Sequence, residues 1–485
     1  MRKPLVRTIA KLLAATLLLI LLGAQAAWPA EPPLNAPVAS LITAAKLKNA
    51  SVSVSVIDLA TGQVLCAIDD QRPMTPASNL KLITTGAAFL ILGDHYNFTT
   101  TLYTSGDIDK TGALQGDLVV IASGDPAISG REHAGKTTAI FDAWAAEIAK
   151  SIRTVRGNLV IDDTLFDRQY LHPAWPQDQL ATWYCAPVST FALNDNCVDV
   201  TVRPGAAPGQ PTVVLLDPPT SFFQMRNTCT TVASGRAKAY ISRAPDSDLL
   251  LISGKLTPKS RPATASVALT NPEGYAAVVL WERLAAAGVR IEGKVVFADT
   301  PIDTGDMEPL VSTSHSLVSA INTANKRSQN FYAEMIFKTL GSRLHTPASF
   351  ADGVKAVTAA LAKAGIQPGS CVIDDGSGLS NRNAVSALQF TTFLRYMAAT
   401  RYAETYIASL PVAGAEGSLR SRMNQPPCAR NIFAKTGHIQ NVSALSGYAR
   451  TTAGKLLAFS ILTNGTGGVG KLEDDICRLL MDVKP

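Results

Sequence analysis

The sequence predicts an α+β fold in which a long, mostly-β segment interrupts a more helical domain. Three observations indicate this arrangement. Ser51 to Leu59 alternates small polar with apolar residues, as a half-buried strand does. Between about residues 96 and 310, short β-rich runs alternate with glycine and proline turns. After residue 311 helical periodicity dominates again, and a few strands precede a helical C-terminus.

The first helix is expected to begin at Thr75 and Pro76, because threonine suits the N-cap and proline the first helical position. Gly93 is expected to end it. Further elements are predicted as helices near 137–152, 273–287, 316–324, 330–340 and 351–364, and as strands at 118–123, 158–163, 211–216, 432–435, 445–450 and 455–462.

At 485 residues the chain is expected to hold more than one domain. We predict a discontinuous domain built from residues 31–95 and 311–485. Residues 96–310 are predicted to form a mostly-β insertion of two nested domains.

Residues 1–26 have the layout of a secretory signal peptide, which predicts a periplasmic protein. Four cations precede an apolar stretch from Leu12 to Leu22, and Ala24-Gln25-Ala26 supplies a small-residue cleavage site. The stretch is short for a membrane span, so cleavage is favoured over an uncleaved anchor.

Charge and composition exclude several classes of partner. Loss of the four signal cations would reduce the formal net charge of +6 to about +2, and no Lys/Arg-rich run remains, so nucleic acid is not expected. No later apolar run reaches 18 residues, which predicts a soluble or peripheral protein. Histidines and cysteines are scattered without zinc-ligand spacing, so neither a metal nor another cofactor is expected.

Cys185 and Cys197 are the nearest candidates for a disulfide, and the odd count of seven cysteines leaves at least one thiol free.

Ser78 and Lys81 form the only S-x-x-K in the chain. On a helix this spacing puts both side chains on one face, about a turn apart. A serine hydroxyl needs a neighbouring base to act as a nucleophile, and a lysine kept neutral by burial can be that base. In isolation the motif is weak, since a solvated serine and lysine on a surface helix would show the same letters.

The only S-x-N in the chain is Ser328-Gln329-Asn330. Ser328 can relay a proton there, while Asn330 can hold a substrate carbonyl and Lys81. The alternative, which does not exclude the first, is that Ser328 is a helix N-cap.

The third motif is Lys435-Thr436-Gly437. Lys435 can pair with a substrate carboxylate and Thr436 can add a hydrogen bond, while Gly437 lets a peptide approach the strand backbone closely. A second K-T-G, Lys110-Thr111-Gly112, lies in a polar turn and is assigned no catalytic role.

The order S-x-x-K, S-x-N, K-T-G matches the three active-site motifs of serine penicillin-recognising enzymes. The chain resembles the class C low-molecular-mass penicillin-binding proteins, the D-alanyl-D-alanine carboxypeptidase/endopeptidase group, over roughly residues 40–480. The resemblance is also carried by the segments Thr75–Phe89, Gly116–Pro126, Arg156–Asp167, Asn271–Leu280, Asn325–Gly341, Asp374–Ala387 and Ala434–Ala449.

The resemblance implies a serine β-lactamase/transpeptidase-like domain, an antiparallel sheet between helix clusters. It implies that Ser78 is acylated by a peptidoglycan stem peptide, with Lys81 as base and with Ser328 and Asn330 assisting. Lys435 would bind the terminal carboxylate, and the backbone N–H groups of Ser78 and residue 438 would form the oxyanion hole. β-Lactams would inhibit the protein covalently, and no cofactor is implied.

Three positions qualify this interpretation. His438 follows K-T-G where the family more often has threonine or serine. Gln329 replaces a small or acidic residue, at a position expected to tolerate change. Asp178 resembles an acid of the insertion that contacts the peptide stem, and the alternative is a surface aspartate without a role.

Three alternative functions agree less well with the sequence. Gly130–Thr137 fits the phosphate-loop pattern G-x-x-x-x-G-K-[ST], but the strand expected before it ends at Ser123, and an exported protein meets little ATP. A non-catalytic wall-binding scaffold would keep the fold without turnover, although the complete set of motif residues argues against it. A β-lactamase is the alternative enzyme, and the long insertion favours the peptidase.

Overall fold

The structure of the protein is a computed structural model that describes residues 31–484. The signal-peptide prediction falls on residues 1–26 and lies outside the described residues. The helices are α1 (Asn35–Ala44), α2 (Leu80–Leu92), α3 (Ala139–Ile148), α4 (Pro272–Ala286), α5 (Leu317–Lys326), α6 (Asn330–Gly341), α7 (Phe350–Lys363), α8 (Ala387–Ala398), α9 (Ala403–Ala408) and α10 (Gly470–Leu480).

The strands are β1 (Ser51–Asp58), β2 (Val64–Ile68), β3 (Asn97–Thr104), β4 (Ala113–Leu114), β5 (Leu118–Ile121), β6 (Thr154–Val155), β7 (Leu159–Asp162), β8 (Cys197–Arg203), β9 (Val213–Asp217), β10 (Met225–Asn227), β11 (Thr230–Thr231), β12 (Lys238–Arg243), β13 (Leu250–Leu256), β14 (Ala263–Ala268), β15 (Arg290–Ile291), β16 (Val295–Phe297), β17 (Glu308–Ser316), β18 (Ile432–Ile439), β19 (Val442–Arg450) and β20 (Leu456–Asn464).

The two ends of the chain meet in one five-stranded antiparallel sheet of order β18-β19-β20-β1-β2. Successive side chains of a strand point to opposite faces, so neighbours such as Ile461 and Leu462 enter different cores. Leu462 joins the core formed with α2 and α5 to α8, whereas Ile461 packs with Val38 of α1 and Ile476 of α10. The predicted antiparallel sheet between helix clusters is confirmed.

The middle of the chain has its own hydrophobic core, built from several small sheets with α3 and α4. Its largest sheet has the order β16-β7-β5-β3-β17 and mixes parallel with antiparallel pairs. Because β17 pairs with β3 along its length, the predicted domain limit at residue 311 falls inside a strand. The domain limits stay a prediction. No helix between residues 31 and 484 combines the length and the apolar character that a membrane span needs.

Candidate active site

Ser78 lies in a tight turn that leads into helix α2. Ala77–Asn79 forms a turn of 3-10 helix, and the regular helix follows it. The predicted N-cap at Thr75 is wrong, because Pro76 occupies that position and makes no side-chain cap. Ala77 has a φ of +47°, in the left-handed region that is strained for a residue with a Cβ. Ser78 therefore projects from a strained turn rather than from a regular capped helix.

The side chain of Lys81 is fully buried beside Ser78. Its Nζ donates hydrogen bonds to Ser78 Oγ at 2.9 Å, to Asn330 Oδ1 at 2.7 Å and to the carbonyl O of Ser377 at 2.8 Å. Burial lowers the pKa of Lys81 to about 7. A neutral amine is therefore accessible near neutral pH, and it can accept the proton of a serine hydroxyl.

The second motif lies where the chain enters helix α6. Asn330 is the first residue of this helix, and Ser328 precedes it with a φ of +57°. The alternative of Ser328 as N-cap is wrong, since Gln329 holds that position. The predicted contact of Asn330 with Lys81 is present, and Asn330 Nδ2 also donates to the carbonyl O of Tyr184 at 2.9 Å. Asn330 thus fixes the lysine relative to the insertion.

Lys435 and Thr436 lie on β18, which among the described strands pairs only with β19 and is the edge of its sheet. Lys435 Nζ donates to Ser328 Oγ at 2.8 Å and to the carbonyl O of Thr436 at 2.7 Å. Burial, and then the charge of nearby Lys81, lowers the pKa of Lys435 well below its usual value. The S-x-N and K-T-G motifs are therefore joined by a hydrogen bond.

Gly437 brings strand β18 against the turn that carries Ser78. A Cβ at Gly437 would lie 2.7 Å from the carbonyl O of Pro76 and 3.1 Å from the backbone N of Asn79. The close approach of its own chain is therefore one reason for a glycine here, and the predicted approach of a substrate peptide stays a prediction. A larger residue here would push the strand away from Ser78.

A cavity of about 910 Å³ opens in front of Ser78. The predicted site residues in its wall are Ser78, Asp178, Ser328, Asn330 and His438. His438 and Asp178 are exposed, and Asp178 comes from a short 3-10 turn, Gln177–Gln179, of the insertion. The S-x-x-K and S-x-N motifs, the residue that follows K-T-G and the insertion therefore share one cavity, and the two motif lysines lie buried behind it.

Two buried acids behind Lys81 escaped the sequence analysis. Glu334, on α6, accepts hydrogen bonds from the backbone N–H groups of Gly376 and Ser377, and so holds the segment whose carbonyl O binds Lys81. Burial, and then the neighbouring Asp375, raises the pKa of Glu334. Both carboxylates favour the charged form of Lys81 and thus oppose the effect of its burial.

Gln329 is buried, which argues against the predicted tolerance of this position. Its Nε2 donates to Asp195 Oδ2 at 2.5 Å, and Arg131 pairs with the same carboxylate. Asp195 and Arg131 belong to the middle of the chain, so Gln329 ties the S-x-N loop to the insertion. Its removal would take a partner from a buried carboxylate, which is costly.

The two motifs that were assigned no catalytic role lie outside the cavity that contains Ser78. Gly130–Thr137 forms irregular turns, and strand β5 ends at Ile121, so this segment lacks the strand that directly precedes a phosphate loop. Lys110-Thr111-Gly112 forms the predicted turn, in which the Thr111 backbone N–H and hydroxyl donate to Asp109. All seven cysteines are free thiols, including the buried pair considered for a disulfide, Cys185 and Cys197.

Solved structures share this architecture. Penicillin binding protein 4 (dacB) from Haemophilus influenzae superposes with a TM-score of 0.80 at 24% sequence identity, over 92% of this chain and 99% of the other. The same protein complexed with a novel β-lactam gives a TM-score of 0.76 at 25% identity, over 92% and 99%. The predicted transpeptidase-like fold is confirmed.

Comparison with sequence relatives identifies the family of the protein. A D-alanyl-D-alanine carboxypeptidase of Actinomadura sp. is 34% identical over 441 residues, which are 88% of this chain and 80% of the relative. The D-alanyl-D-alanine carboxypeptidase DacB of Haemophilus influenzae is 28% identical over 423 residues, 86% and 85% of the two chains. Residues 34–480 match the family described as D-Ala-D-Ala carboxypeptidase 3 (S13), and the chain belongs to this family.

Family membership confirms the predicted class of enzyme, a serine-type D-Ala-D-Ala carboxypeptidase. The family is one of cell-wall enzymes, which is consistent with a secreted or periplasmic protein.

Proposed function

We propose that this protein cleaves the D-alanyl-D-alanine end of peptidoglycan stem peptides through an acyl-enzyme on Ser78. The observation that carries the proposal is the hydrogen bond of 2.9 Å between Lys81 Nζ and Ser78 Oγ. Because burial lowers the pKa of Lys81 to about 7, its neutral amine takes the hydroxyl proton as Ser78 Oγ attacks the carbonyl carbon of the penultimate D-alanine.

The tetrahedral intermediate then loses its leaving group. The backbone N–H groups of Ser78 and His438 stabilise the oxyanion. Ser328, hydrogen-bonded to Lys435 at 2.8 Å, relays the proton that Lys81 took from Ser78 to the leaving nitrogen. The C–N bond breaks, D-alanine departs, an ester remains on Ser78, and Lys81 is neutral again. Water, deprotonated by Lys81, hydrolyses the ester and restores the hydroxyl.

Lys435 and Thr436 bind the terminal carboxylate of the substrate. Burial lowers the pKa of Lys435 in the free protein, and an arriving carboxylate favours its charged form. The substrate carboxylate therefore offsets the cost of charging this buried amine. Asp178 and His438, exposed in the wall of the same cavity, contact the peptide stem.

β-Lactams mimic the substrate and acylate the same serine. The same chemistry at an amide that joins two stems gives endopeptidase activity. Residues 1–26 act as a cleaved signal peptide that takes the enzyme to the periplasm, where its substrate is.

Release of D-alanine from a synthetic stem pentapeptide tests the proposal. The wild-type protein is expected to release D-alanine, and Ser78→Ala is expected to lower kcat/KM by about 10⁴-fold or more. Ser151→Ala, which changes an exposed serine of the insertion, is the control and should leave the rate unchanged. Penicillin binding without any D-alanine release would favour the scaffold, and rapid penicillin turnover would favour a β-lactamase.

A further inference from the structure

A second cavity, of about 1030 Å³, adjoins the one that contains Ser78. Trp183 and Arg327 lie in the walls of both cavities. Residues of the insertion form one side of the second cavity, and the segment that precedes β18 contributes Glu416, Ser418 and Arg420. A cavity of this volume holds a whole drug-sized molecule, which is far more than the single D-alanine released by a carboxypeptidase.

Two buried oxygen atoms of this cavity's wall residues lack a hydrogen-bond partner among the described residues. They are Asp195 Oδ1 and Gln329 Oε1. Asp195 is 7% exposed and Gln329 is 6% exposed, so neither oxygen is well solvated. Unpaired buried acceptors are costly, so an N–H donor that gains access to either oxygen would stabilise this wall.

The same wall carries two cations that are not neutralised within the protein. Arg327 and Arg420 are exposed, and neither joins an ion pair within residues 31–484. By contrast Lys326, also in this wall, pairs with Glu416 at 3.0 Å. Asp199 and Asp217, which line the same wall, likewise join no ion pair within the described residues. A guanidinium binds a carboxylate with two parallel hydrogen bonds, so the ligand that complements this wall carries carboxylates for the arginines and amino groups for the two acids.

The second cavity is joined to the residues proposed to hold the leaving group. Ser418 Oγ lies 2.7 Å from Thr436 Oγ1, and Thr436 is the neighbour of Lys435 in β18. A substrate whose carboxylate binds at Lys435 and Thr436 therefore has its leaving group directed at Ser418 and the second cavity. Its acyl part occupies the cavity lined by Ser78 and Asp178.

We infer that the second cavity binds the leaving stem of a cross-linked peptidoglycan peptide. The carboxylates of this stem would bind Arg327 and Arg420. The inference rests on the proposed function. Ser78 Oγ becomes acylated by the donor stem, the amide C–N bond of the cross-link breaks, and the nitrogen takes a proton and leaves as an amine that carries the second stem.

Two substrates and one pair of variants test this inference. The kcat/KM for a cross-linked dimer of tetrapeptide stems is measured beside that for a pentapeptide, whose leaving group is only D-alanine. Arg420→Ala is expected to lower the ratio of dimer to pentapeptide kcat/KM about tenfold, through a higher KM for the dimer. Arg261→Ala, which removes an exposed arginine outside both cavities, is the matched control and should leave the ratio unchanged.

A binding measurement supports the kinetic one. Wild-type protein with penicillin on its nucleophile is titrated with free tetrapeptide stem by calorimetry. Binding that Arg420→Ala weakens is expected. Three results would overturn the inference without affecting the proposed function. The first is a ratio that Arg420→Ala leaves unchanged, and the second is an enzyme that releases D-alanine but does not cleave the dimer. The third is that the stem does not bind to the acylated protein. Wild-type protein with neither a penicillin adduct nor D-alanine release would instead overturn the proposed function.

Discussion

Lys110-Thr111-Gly112 and Lys435-Thr436-Gly437 have the same three residues in opposite surroundings. Lys110 is exposed at a turn, whereas Lys435 is fully buried and donates to Ser328. The Thr111 hydroxyl satisfies Asp109 within its own turn, while that of Thr436 lies 2.7 Å from Ser418, at the rim of a second cavity. The three residues alone therefore do not determine the properties of the lysine; its burial and its hydrogen-bond partners do.

The surroundings supply that chemistry through desolvation. Water screens an exposed lysine, so that a carboxylate beside it contributes little. Burial at the edge of a sheet removes this screening, lowers the pKa of Lys435 and leaves its amine directed at Ser328. The position of each K-T-G in the order of motifs is informative because only the second K-T-G lies on a strand that brings its lysine to another motif.

Paired lysine variants give the largest contrast. Lys435→Ala is expected to lower kcat/KM for a stem pentapeptide about 100-fold or more, because truncating one partner of a buried charged pair is costly. Lys110→Ala is expected to change it by less than about twofold. Steady-state D-alanine release measures both, and equal losses in the two variants would show that burial does not distinguish the segments.

Two glycines with the same backbone conformation but different packing separate the effect of conformation from that of surroundings. Gly378 and Gly369 both have a φ of +83°, but a Cβ at Gly378 would overlap with the carbonyl O of Ala77 in the turn beside Ser78, whereas one at Gly369 meets nothing within 4 Å. Gly378→Ala is expected to cost about 3 kcal/mol or more of unfolding free energy. Gly369→Ala should cost about 1 kcal/mol, from backbone strain alone.

Urea unfolding followed by circular dichroism measures both glycine variants. Similar losses in the two proteins would mean that the packing of Gly378 against the Ser78 turn contributes nothing.

A change of pH optimum is the smallest effect expected. In the proposed mechanism neutral Lys81 is the base, so kcat/KM should rise with pH through the pKa of Lys81, about 7. Glu334 favours the charged lysine, so Glu334→Gln should lower that pKa further and move the acidic limb to lower pH by up to about one unit.

The pH profile of kcat/KM for Glu334→Gln is compared with that of Glu404→Gln, which changes an exposed acid and should not shift. A limb that stays in place in Glu334→Gln, or moves to higher pH, would exclude this role for Glu334.

Local patterns in the sequence predicted much of the framework. Alternation predicted β1, and Gly93 ends α2 with a φ of +81°. The spacing of Ser78 and Lys81 predicted their proximity, which the structure shows. Helix α8 was missed although its signal is present, since Ser386 and Gln389 form a capping box at its start.

The site residues that the sequence did not predict owe their roles to burial between distant segments. Glu334 stands four residues after Asn330, a spacing that puts both on one helix face, but nothing local shows that this face is buried against Gly376 and Ser377. Gln329 looks like a loop residue until the insertion places Asp195 beside it. Such contacts arise between segments far apart in the chain, so no local periodicity records them.

The most direct test of the central claim, that Ser78 is the nucleophile held by Lys81, is to locate a penicillin adduct. Purified protein is incubated with labelled penicillin and digested, and the modified peptide is identified by mass spectrometry. The adduct is expected on Ser78 and should be absent from Ser78→Ala. An adduct on another residue, or equal labelling of Ser78→Ala, would contradict this account.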